Sequence, residues 1–111
     1  MKFAYKVVKN KRGAVKVEDT KTIAAQIVSF ILVSKVVLGF RECAAIIKIA
    51  QENNCTFQIT SGKKIGTSES IMSLVTLGIT ADKTLVLNIK GENKENAYHE
   101  ITKIIHGEVT L

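Results

Sequence analysis

The chain has 111 residues, 46% of them hydrophobic and 23% charged. That suits one folded domain with a real core, and excludes both a disordered tail and a chain of several domains. Its net charge of +6 leans on the N-terminus, where Lys2, Lys6, Lys9, Lys11, Arg12 and Lys16 all precede the first acid, Glu18. Such a field attracts anionic partners without choosing among them, and lysines also blunt exposed sheet edges.

Phe3, Tyr5 and Val7 alternate with polar or small residues and predict a strand, Asn10–Gly13 a turn, and Val15 and Val17 a short hairpin partner. Asp19 and Thr20 are good helix caps. From Thr20 to Leu38 apolar residues cover every side, which fits a helix buried on more than one face. A second reading makes Ile27–Val33 a strand, because β-branched and aromatic residues dominate there. Ile23–Phe40 approaches a membrane span in length, but Lys35, Gln26, Ser29 and Ser34 argue against one, so no membrane partner is expected.

Arg41–Asn53 has Cys43, Ile46, Ile47 and Ala50 on one face and predicts an amphipathic helix ended by Asn53-Asn54. Thr56–Thr60 alternates as a strand, Ser61–Lys64 turns, and Ile65 starts a return strand. Ser70–Leu77 is a short helix, Thr84–Ile89 a central strand, and Glu92–His106 a last helix with Ala97, Ile101, Ile104 and Ile105 inward.

Cys43 and Cys55 have neither CxxC spacing nor a nearby histidine, and His99 and His106 lie one heptad apart on the solvated side of the last helix. No metal site and no cofactor are expected from them. No nucleophile, base and orienting group converge, and no phosphate loop is present, so the chain is not expected to be an enzyme. Nucleic-acid binding is disfavoured by an aromatic content of only 5%, too sparse for the base-stacking pairs of single-strand binders. No signal peptide is evident, and a cytoplasmic location is the default.

Gly66–Ile79, GTSESIMSLVTLGI, together with Lys90-Gly91-Glu92-Asn93, resembles the histidine-containing phosphocarrier protein (HPr) family of the bacterial sugar phosphotransferase system. The resemblance runs from about Gly39 to about Gly107. It implies an α+β fold, the HPr-like open-faced β-sandwich, whose antiparallel four-stranded sheet is covered on one face by helices, here with an additional N-terminal element. The whole chain is then one HPr-like domain, with 14–38 an insertion or an N-terminal extension. The insertion reading is preferred, with Lys2–Val8 as the family's first strand, because its alternation is the cleaner.

In the family a motif of the form G-[LI]-H-A-R-P-A opens the first helix, and its histidine carries the phosphoryl group received from phosphoenolpyruvate through enzyme I. The matching run is Val37-Leu38-Gly39-Phe40-Arg41-Glu42-Cys43. Gly39 marks a degenerate phosphohistidine position, Arg41 matches the arginine, and Glu42 replaces the proline. Glycine has no nucleophilic atom, and Glu42 sets a like charge where phosphate would sit.

Ser70 aligns with the serine phosphorylated by HPr kinase in HPr proteins of many Gram-positive bacteria. Its expected cap position also explains it without any modification. Ile71, Met72, Val75 and Arg41 align with the partner-binding surface, whereas Leu74 and Leu77 read as core. The implied function is a non-catalytic, HPr-like regulatory or protein-binding module. The alternative is a phosphocarrier whose acceptor has been displaced, with a basic nucleic-acid-binding module a more distant reading. Implied partners are phosphotransferase-system enzymes, a serine kinase or a transcription factor, with no small-molecule substrate. The surplus apolar surface of Thr20–Leu38 also suggests a homodimer.

Overall fold

Alternating side chains on three segments, each with one covered face, build the centre of the molecule. The computed structural model describes residues 5–9, 15–19, 26–109 and 111. In chain order the elements are β1 (Tyr5–Lys9), β2 (Val15–Asp19), β3 (Val28–Val33), α1 (Phe40–Glu52), β4 (Cys55–Ser61), β5 (Lys64–Thr67), α2 (Ile71–Val75), β6 (Thr84–Gly91) and α3 (Lys94–Ile105). β3, β6, β4 and β5 form an antiparallel sheet in that order, and among the described residues β1 and β2 pair only with each other. From β3 onward the order is β-α-β-β-α-β-α, the expected open-faced sandwich.

The preferred placement of the first strand is corrected by this topology. The described part of Lys2–Val8, from Tyr5 on, lies in β1 of a separate hairpin, and the strand that joins the main sheet is β3, inside the alternative Ile27–Val33. Of the two readings open for this segment, the strand is the one found: residues 26–38 contain β3 and no helix, and residues 20–25 lie outside the described ones. The turn at Asn10–Gly13 and the cap at Thr20 lie outside the described residues. No helix among the described residues is long and apolar enough to cross a membrane.

The helices cover one face. Ile46 and Ala50 of α1 and Ala97, Ile101, Ile104 and Ile105 of α3 are buried against Phe57, Ile59, Leu85, Leu87 and Ile89 of the sheet. Phe30 of β3 stacks on Tyr98 of α3 with ring centroids 3.7 Å apart, adding aromatic packing to area burial. Asn53 is buried at the end of α1, and both ends of its amide are used. Its Nδ2 donates to Ile49 O at 2.8 Å and its Oδ1 accepts from Asn96 Nδ2 at 2.8 Å, tying α1 to α3. Asn54 follows at φ 54°, a left-handed turn that asparagine tolerates. The opposite face of the sheet, carrying Ile31, Thr60, Val86 and Ile65 in one register row, has no helix over it among the described residues.

Candidate docking and phosphorylation site

The approach to α1 is held from the side. Leu38 N–H donates to Ile79 O at 2.9 Å, fixing the strap before the helix beside the segment that leaves α2. Gly39 is the N-cap in ordinary extended conformation, φ −84° and ψ −168°, so nothing in the backbone demands glycine here. Its carbonyl accepts from Cys43 N–H at 3.0 Å, and its own N–H donates to Glu42 Oε1 at 3.1 Å. The carboxylate therefore folds back over the helix start. A Cβ at position 39 would lie 3.3 Å from Glu42 Oε1, so the acid stands close to where an acceptor side chain would begin. Glu42 meets the positive end of the helix dipole with the chain's own negative charge. An incoming phosphate would have to displace it.

Arg41 is exposed, and its Nη1 donates to the backbone oxygen of Leu111 at 3.3 Å. Phe40, the first residue of α1, is 60% exposed. Helical spacing alone sets Phe40 on the stripe of Cys43 and Ile47, which points inward. Position 40 overhangs the helix start, where no core lies beneath it, and periodicity could not show that.

Ser70 caps α2, with its Oγ accepting from Ser73 N–H at 3.3 Å. Ser73 extends this network: its Oγ donates to Ser70 O at 2.6 Å and accepts from Thr67 N–H at 2.9 Å, joining the helix start to β5. Ser70 is exposed. Leu74 and Leu77 are buried, as expected of core residues. Ile71 and Val75 are half-buried against that core, and Met72 is 55% exposed. α1 and α2 pack together, so Phe40 and Arg41 at the start of one and Met72 on the other belong to neighbouring elements. A flexible thioether beside exposed apolar groups suits a surface that adapts to a partner.

The remaining reactive groups lie elsewhere. Cys43 is buried, and its thiol is pushed up to about 11 by desolvation and then by the Glu42 charge. Cys55 is buried and likewise raised, first by desolvation. Both thiols are therefore poor nucleophiles at neutral pH. His99 is exposed on α3 beside Tyr98, at 5.4 Å between ring centroids. His106 caps the C-terminal end of α3 and is half-buried, a correction to its expected solvation. That helix end reaches the strap before α1, where Lys35 N–H donates to Ile105 O at 2.9 Å.

The model of the family described as PTS HPr component phosphorylation site matches residues 28–106. Among solved structures, the chain is similar to the phosphocarrier protein HPr from Bacillus anthracis str. Ames, with 22% identity and a TM-score of 0.63, covering 72% of this chain and 98% of that one. It is also similar to HPr-C-His from Thermoanaerobacter tengcongensis, with 21% identity and a TM-score of 0.57, covering 72% of this chain and 90% of that one. No curated protein matches the chain. The two structures show the fold, and the family model spans most of the sequence, from β3 to the end of α3. This chain belongs to the HPr family.

Proposed function

We propose that this protein is a regulatory or docking member of the HPr family that does not carry phosphohistidine. The observation behind this reading is the start of α1: Gly39 provides no ring nitrogen, and the Glu42 carboxylate accepts the N–H that begins the helix. A helix N-terminus favours a transferred phosphate only while its donors and positive potential are open to it. Met72, Ile71 and Val75 on α2, with Arg41 on α1, form the surface offered to cytoplasmic protein partners of the phosphotransferase system.

A second reading, a displaced phosphoacceptor, draws on His106, whose helix end adjoins the strap before α1. Its electrostatics are adverse. A helix C-terminus presents carbonyl oxygens and the negative end of the dipole, which repel a phosphoryl group.

Ser70 is the proposed point of control. A phosphate there would lie at the positive end of α2 and add charge next to Met72, changing what the surface can dock. Incubation with HPr kinase and ATP, followed by peptide mapping, tests this. Label at Ser70 that disappears in Ser70→Ala is expected. Label confined to other residues, or none, would overturn control through Ser70. Loss of the cap costs Ser70→Ala about 0.5–2 kcal/mol, so a thermal melt confirms that the variant is folded during the assay.

A further inference from the structure

Among the described residues, β3 is an edge strand without the usual protection of an edge. Its sequence, Val28-Ser-Phe-Ile-Leu-Val33, has no charge and no proline, and β6 is its sole strand neighbour among the described residues. Natural edges are ordinarily blunted by lysine, proline, bulges or a covering segment. β5, the opposite edge, shows such devices: Lys64 is its first residue and Lys63 precedes it, and Ser73 Oγ accepts the outward N–H of Thr67. The hairpin nearest in sequence adds no strand to this edge, because β1 and β2 pair with each other.

The hydrogen-bond pattern shows which β3 groups are free. Ser34 N–H donates to Lys83 O, so Ser34 faces across the ladder, and by alternation Leu32, Phe30 and Val28 do the same toward β6. Ser29, Ile31 and Val33 therefore direct their N–H and C=O groups to the free edge. The same three side chains stand on the sheet face that no helix among the described residues covers, where Ile31 is 77% exposed and Val33 37%.

We infer that this edge pairs with β3 of a second copy of the chain. An antiparallel pair centred on Ile31 places Ile31 opposite Ile31 of the partner subunit and Ser29 opposite Val33 of the partner subunit. Every free edge donor of one copy then meets an acceptor of the other, the self-complementarity that a two-fold axis requires. Absence of charge along β3 means that no like charges are opposed across the axis. On the open face the two Ile31 side chains cover one another, and the two four-stranded sheets become one. A single strand pair buries less than the roughly 1,200–2,000 Å² of a standard interface, so the dimer is weak and forms in the micromolar range or above.

Sedimentation analysis of the full chain from micromolar to about 1 mM, with two variants, tests this. Ile31→Lys sets like charges together at an exposed position, and Ile31→Pro removes an edge N–H that β6 does not use, so both leave the domain folded. Each is expected to raise the dissociation constant about tenfold or more. With oxidised glutathione, Ile31→Cys is expected to form a disulfide-linked dimer, since paired Cα atoms lie about 5.5 Å apart, and Ile65→Cys on β5 is not. A monomer throughout the range, a dimer indifferent to both Ile31 variants, or cross-linking through position 65 alone would each overturn the inference. Protection of the β3 amides from exchange in a monomer would instead assign the edge to the chain's own hairpin.

Discussion

Ile101→Ala is expected to lower stability by about 2–5 kcal/mol, the largest effect of any single truncation considered for this fold. Ile101 is fully buried at the middle of α3, with Ala97, Ile104 and Ile105 on the same inward face. Removing three carbons there loses their transfer free energy and leaves a cavity that a well-packed helix–sheet layer closes only in part. For a domain of this size each kcal/mol moves the midpoint by about 4–8 °C, so thermal unfolding should show a fall of about 8 °C or more. An unchanged midpoint would mean that α3 is not seated on the sheet as described. Ile31→Ala on the open face is the matching control, with little expected change because that side chain is mostly exposed.

Gly66→Ala should come next, with a loss of about 1–3 kcal/mol from overpacking. Gly66 is buried in β5 where α2 crosses closest to it. A Cβ there would meet Leu74 Cδ2 at 2.8 Å and Ser73 O at 2.9 Å. The second contact is with backbone, so α2 itself has to move, and with it the Ser70 cap and Met72. The distinguishing result is local: amide exchange should quicken across 67–77 ahead of α1 and α3, and affinity for any partner read through Met72 should fall further than global stability accounts for. Uniform loosening across the whole domain would separate Gly66 from the docking surface.

Much of this architecture is readable from residue spacing, for identifiable reasons. α1 and α3 each have one dry and one wet face, so Cys43, Ile46, Ala50, Ala97, Ile101, Ile104 and Ile105 announce themselves as core, and all are buried. β4 alternates strictly because helices cover only one of its faces. β3 defeats the same logic. Its exposed positions hold Ile31 and Val33 instead of polar residues, and the alternation that marks a half-covered strand is thereby erased. The N-terminal segment has the cleaner pattern, and it builds a hairpin outside the main sheet.

At the site, Ser70 was legible because caps follow local rules, and the structure has it at the start of α2, whereas Gly39 was marked only through the family resemblance and turns out to be the N-cap of α1. Three features were hidden from spacing. The fold of Glu42 onto Gly39 N–H depends on a rotamer, the exposure of Phe40 on what lies under a helix end, and the Arg41 bond on a residue seventy positions away. The sequence did raise the charge of Glu42 as an obstacle to phosphate, and the 3.1 Å hydrogen bond gives that obstacle a geometry.

The most direct test of the central reading is phosphoryl transfer itself. The full chain, incubated with phosphoenolpyruvate and enzyme I under conditions that fully phosphorylate an HPr, should be recovered at unchanged mass. Recovery of an acid-labile phosphate mapped to His99 or His106 would contradict it.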